Sequence, residues 1–113
     1  MACPVAAIHQ HRSEIVIYGG GVHFSKEHIV NMKHGKYFGI IVENIGNGWG
    51  KSVEDVILRS LSQEHGIIKA PKEYVNNCKI GDIIKVLPVH SCMSANNMEY
   101  YLTTNNRKIK KLY

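Results

Sequence analysis

Three short stretches of this chain carry residue types that could do chemistry. The first is His90-Ser91-Cys92. In an extended segment, residues two apart project to the same side, and imidazole nitrogen and thiolate sulfur are both good zinc ligands. Pro88 just before the pair would fix its approach. Two protein ligands leave the shell open, as a catalytic metal requires. On spacing alone, a His-x-Cys pair at the end of a buried strand, with no ion, is the favoured reading. No repeated Cys-x-x-Cys pair at zinc-finger spacing is present. The second stretch is Leu61-Ser62-Gln63-Glu64-His65-Gly66. Glu64 beside His65 could supply an acid/base group or a further metal ligand, but on spacing alone a polar turn closed by Gly66 is the favoured reading. The third is Gly19-Gly20-Gly21-Val22-His23-Phe24-Ser25-Lys26. Gly-rich backbone running into a helix can cradle an anion. This run lacks the ending of a P-loop and the dinucleotide spacing, so a structural bend is the plainer meaning. Lys26 could form a Schiff base, but nothing marks it as desolvated.

These residues must be positioned by a small scaffold. At 113 residues the chain suits one domain and falls far short of the roughly 250 residues of a (β/α)₈ barrel. Apolar residues make up 44% and charged residues 20%, a globular balance that argues against disorder. No apolar run approaches the about 20 residues of a membrane-spanning helix. Met1-Ala2-Cys3-Pro4 shows no secretory pattern. Three Cys, at 3, 78 and 92, disfavour a disulfide framework and point to a reducing, cytoplasmic setting.

The formal charge of +5 permits an anionic partner. Part of it is one cluster, Arg107, Lys108, Lys110 and Lys111, beside Tyr100, Tyr101 and Tyr113. Such a cluster could bind single-stranded nucleic acid. A charged edge strand that resists aggregation is the favoured reading. His9-Gln10-His11 sits in a turn and reads as surface.

Short apolar segments separated by turn residues predict a mainly β domain over 1–113, a small barrel or sandwich of six to eight short strands with one short helix. Strands are expected at Pro4 to Ile8, Glu14 to Tyr18 (buried on both faces), Tyr37 to Glu43, Val53 to Ser60, Ile67 to Ala70 and within Ile80 to Pro88. Gly46 to Gly50 reads as a loop. Glu99 to Thr104 and Arg107 to Tyr113 make a hairpin around a two-residue Asn105-Asn106 turn. The helix is placed at Ser25 to His34, capped by Ser25 and ended by Gly35.

The Gly19–Lys26 run, Ser62-Gln63-Glu64-His65-Gly66, Gly81-Asp82 and Leu87-Pro88-Val89-His90-Ser91-Cys92 occur in this order over nearly the whole chain. That series resembles the C-terminal domain of the D-threonine aldolase and D-serine dehydratase family, fold-type III pyridoxal-phosphate enzymes related to alanine racemase. The resemblance implies a β-domain that closes over an N-terminal (β/α)₈ barrel carrying pyridoxal phosphate on a lysine. It implies His90 and Cys92 as ligands of a divalent metal, and the thiolate favours zinc. The metal would polarise the hydroxyl of a D-β-hydroxy-α-amino acid, for elimination or retro-aldol cleavage. Glu64 and His65 would lie near the same site. The barrel and its lysine are absent from these 113 residues, so the chain is expected to be inactive alone. The face that meets the barrel is expected to be apolar and able to pair two copies. The competing expectation is a small basic β-barrel that binds nucleic acid or a protein partner.

Overall fold

The computed structural model describes residues 1–112. Six strands close into a barrel in the order β1-β2-β7-β6-β5-β8. They are β1 (Ala2–His9), β2 (Glu14–Tyr18), β5 (Gly39–Ile45), β6 (Gly48–Leu61), β7 (His65–Lys69) and β8 (Ile83–Pro88). All six pairings are antiparallel, and β1 against β8 closes the ring through Cys3 opposite Ile84. Two ribbons stand outside it: β3 (Ile29–Asn31) with β4 (Gly35–Tyr37), and β9 (Tyr100–Leu102) with β10 (Lys108–Lys110). Between the two architectures expected from sequence, the chain is a barrel.

The interior follows from the two-residue period of a strand. Each barrel strand sends in a pair two positions apart: Cys3 and Val5, Ile15 and Ile17, Gly39 and Ile41, Val56 and Leu58, Gly66 and Ile68, Ile84 and Val86. β2 is therefore buried on one face, not both: Ile15 and Ile17 are inaccessible while Tyr18 is exposed. Short helices stopper the ends. Phe24 of α1 (Gly21–Phe24) lies against Gly19 and Cys3 at one end. Val75 of α2 (Lys72–Asn76), which follows the far end of β7, joins the same core.

The expected helix over Ser25 to His34 does not form. Ser25 ends α1 with φ at 66°, and residues 29–37 fold into the β3–β4 ribbon, with Gly35 at φ 68°. Ile29 and Val30 are β-branched and favour strand, and a ten-residue helix with so little to bury does not repay its nucleation cost. Ile29, Val30 and Met32 are in fact exposed. Lys33 ties the ribbon to β6 by an ion pair with Asp55 at 2.8 Å, and that hydrogen bond holds the Asp55 carboxyl below its ordinary range.

Other differences are local. Three short helices replace the single one, because α1, α2 and α3 (Ser91–Asn96) run four to six residues with no periodic apolar face to announce them. Gly46 to Gly50 is the tip of the long β5–β6 hairpin, paired as Ile45 with Gly48. The β9–β10 connection runs from Thr103 to Arg107. The Thr103 hydroxyl accepts from the Arg107 backbone at 2.9 Å, and Asn106 has φ at 63°. Tyr113, placed by sequence in the last strand, lies outside the described residues. Among the described residues no helix is long and apolar enough to cross a membrane.

Burial pushes the Cys3 thiol up from 9.0 to about 11. Between those values the unfolded chain has lost its proton and the folded chain has kept it, so stability falls as pH rises through that window. We expect urea unfolding to show the wild type losing about 2 kcal/mol more than Cys3→Ala between pH 8 and pH 11. Parallel losses in both proteins would contradict this.

Candidate functional site

One end of the barrel gathers all three chemistry-bearing stretches. β2 ends there at Tyr18, β6 at Leu61 and β8 at Pro88, while β5 begins there at Gly39 and β7 at His65. The segments that leave these strand ends pack on one another through backbone. Gly21 N–H donates to the Ser62 carbonyl at 2.8 Å and Val22 N–H to the Gln63 carbonyl at 3.1 Å. A Cβ on Gly20 would lie 2.6 Å from Gln63 O, Glu64 N and His65 N. The glycine run therefore exists to let two backbones touch. The leading N–H groups of its four-residue helix are already used within the chain.

α1 joins the segment that follows Pro88 as well. The Ser94 hydroxyl of α3, 3% exposed, donates to the Phe24 carbonyl at 3.4 Å. The Asn97 amide reaches the His23 carbonyl at 3.5 Å, and Val89 N–H donates to the Phe38 carbonyl at 3.2 Å. His23 itself accepts from Gly20 N–H through Nδ1 at 3.0 Å, which puts its ring proton on Nε2. Sequence reasoning missed Ser94 and the link from His23. His23 stood inside a stretch already singled out, whereas a lone Ser in a polar segment offers no signal.

His90 and Cys92 are both exposed at this end. The extended geometry assumed for them is corrected. His90 is extended (φ −130°, ψ 96°) but caps α3, and Cys92 lies in the first helical turn, which begins as soon as β8 has ended at Pro88. The same-side argument from strand spacing therefore does not apply. What holds is proximity in sequence and freedom from competing bonds. Neither side chain has an internal hydrogen bond, ion pair or ring contact, and Cys92 is a free thiol.

Glu64 is exposed and its carboxylate has no internal partner. His65 faces outward across the β2–β7 pair, with its ring 5.2 Å from that of Tyr18. Among the described residues no three His, Cys, Asp or Glu side chains come together as a metal cluster. Lys26 is exposed, and no described lysine is buried, so the chain offers no enclosed amine for a cofactor. At the far ribbon, Lys108 Nζ sits 3.7 Å from the Tyr100 ring centroid.

The family model described as "Putative serine dehydratase domain" matches residues 1–104. The chain belongs to this family. Solved structures show the same fold. An alanine racemase-like protein from Idiomarina loihiensis is 18% identical with a TM-score of 0.76, over 95% of this chain and 29% of that one. D-threo-3-hydroxyaspartate dehydratase from Delftia sp. HT23 is 16% identical with a TM-score of 0.78, over 99% of this chain and 31% of that one. A histidine-to-alanine mutant of a D-threo-3-hydroxyaspartate dehydratase superposes with a TM-score of 0.80. A cysteine-to-alanine mutant, in the metal-free form, gives 0.79, and its altered position lies two after that histidine. The chain thus spans about 30% of the length of these proteins. No curated protein matches it significantly.

Gly20→Ala must push the 63–65 turn away, and we expect it to cost about 3 kcal/mol. The added carbon in Gly21→Ala meets nothing nearer than 3.5 Å, and the cost there is expected below about 0.5 kcal/mol. Chemical denaturation of both variants checks the contrast, and equal costs would contradict it.

Proposed function

We propose that this chain is the metal-holding β-domain of a pyridoxal-phosphate-dependent lyase acting on D-β-hydroxy-α-amino acids. His90 and Cys92 supply two ligands at the barrel mouth. The observation that carries the reading is that pair itself: an uncommitted imidazole and an uncommitted thiol two residues apart, on the end of the barrel that also holds the Gly19–Lys26 and Ser62–Gly66 stretches. The relative whose histidine and cysteine, two positions apart, have each been replaced by alanine supports it.

The donor set fits a borderline-soft ion such as zinc better than magnesium or manganese. Bound there, the ion would supply Lewis-acid polarisation of the substrate hydroxyl. The remaining ligands come from substrate, water or another domain. The residues of this chain do not fit pyridoxal phosphate, since none of the described lysines is enclosed. We therefore assign the cofactor to a (β/α)₈ barrel that packs on the mouth. Exposed Met93 lies on α3 there and suits such a partner, or a second copy of the chain in its absence.

Within the site the chain's own work is positional. Phe24, Ser94 and the Gly20 approach hold α1 and α3 against each other and so set where His90 and Cys92 stand. Glu64, exposed and unpaired, is free to hold or accept a proton at its carboxylate. His65 is engaged by Tyr18 on the outer wall and serves to orient the turn that carries Glu64. Three free cysteines suit a reducing, cytoplasmic compartment.

The chain equilibrated with zinc at neutral pH and then desalted should retain about one zinc per chain. His90→Ala and Cys92→Ala should each abolish retention while leaving the fold unchanged by circular dichroism. A wild type that retains no zinc, or variants that retain as much, would overturn the assignment.

A further inference from the structure

We propose that a hollow beside the mouth is a binding site for a small carboxylate with an apolar body. The hollow measures about 800 Å³ and lies between α1, the β3–β4 ribbon and the end of β6. Val22, Phe38 and Leu61 give it apolar walls, while Lys26, His28 and Lys36 bring three cationic or ionisable nitrogen groups to it.

The charge arrangement is one-sided. Neither lysine has a carboxylate within 4 Å, whereas Lys33 on the same ribbon is paired with Asp55 and Glu54. Glu27, between Lys26 and His28 in sequence, does not line the hollow and pairs with neither. Like charges gathered around one cavity without an acid repel one another, and an anion in that cavity relieves the repulsion.

The nitrogens are placed over an apolar floor. Lys36 Nζ stands 5.3 Å from the Phe38 ring centroid, and the His28 ring 5.8 Å from it at 60°. His28 Nδ1 donates to the Lys26 carbonyl at 3.1 Å, which fixes the imidazole ring and leaves the two lysines as the groups that attract an anion. A few polar groups around a mostly apolar cavity are the usual form of a small-molecule site. Here the two lysines select negative charge and the floor selects an aryl or alkyl body. His90 and Cys92 do not line the hollow, so this site does not depend on the metal assignment.

The test is a titration of the isotope-labelled, metal-stripped chain with sodium benzoate, followed by amide chemical shifts, with benzylamine as the cationic control. Benzoate should give saturable shifts centred on Val22, Phe38 and Gln63 with a Kd on the order of millimolar, and benzylamine should give none. Lys26→Gln with Lys36→Gln should weaken benzoate by about tenfold, with the rest of the spectrum showing an intact fold. Lys26→Gln alone should give a smaller loss. Shifts that do not saturate, that scatter away from the hollow, that benzylamine reproduces or that survive the lysine variants would overturn the proposal. Because the chain is stripped of metal, failure here leaves the zinc assignment standing, and failure to retain zinc leaves this site standing.

Discussion

Everything at the mouth depends on one close approach of backbone to backbone. Gly20 lies against the 63–65 turn at a distance no side chain permits. That contact lets α1 dock on the end of β6 and the start of β7, with Gly21 and Val22 donating to carbonyls 62 and 63. Docked there, α1 drops Phe24 into the barrel and presents the Phe24 carbonyl to Ser94 of α3. α3 in turn carries Cys92 and is capped by His90. A sequence of small constraints thus runs from three glycines to a thiol some seventy residues later in the chain. Without the glycines the mouth would have to open, and the two donors would lose their support.

The barrel explains why a mouth exists at all. Pairs of inward residues from six strands pack into one buried core inside the cylinder. Chemistry is pushed to the rim, where strands end and short connections expose polar side chains. The rim has two distinct kinds of surface. One bears an imidazole and a thiol with no partners. The other bears lysines without acids above an aromatic floor. The first suits a cation and the second an anion, and both face outward, where a further domain can complete them.

Much of the scaffold was legible in the residues. Glu14–Tyr18 reads as a strand and is one with the same bounds, because a Val/Ile-rich run between Ser13 and Gly19 has few alternatives. Ile83–Pro88 likewise ends where Pro88 closes it. The family was legible too, through motifs of which three meet at one end of the barrel, while Gly81-Asp82 sits at the other end, where β8 begins. Ser25 to His34 misled because a capping Ser and a later Gly look the same whether they bound a helix or a ribbon turn. The choice was made by exposure and β-branching at Ile29 and Val30. The start of α3 was hidden because Ser91-Cys92-Met93-Ser94 has no apolar period, and its one inward residue is a serine. The hollow was hidden for a different reason. Lys26, His28 and Lys36 converge only because the β3–β4 ribbon folds back, which no local pattern encodes.

The proposed metal site rests on one imidazole and one sulfur of this chain holding a single ion. X-ray absorption at the zinc edge, on the zinc-loaded chain, reads that shell directly. We expect one sulfur scatterer at about 2.3 Å together with an imidazole nitrogen at about 2.0 Å, with the sulfur lost in Cys92→Ala. A shell of light atoms alone, or a sulfur signal that survives that substitution, would contradict it.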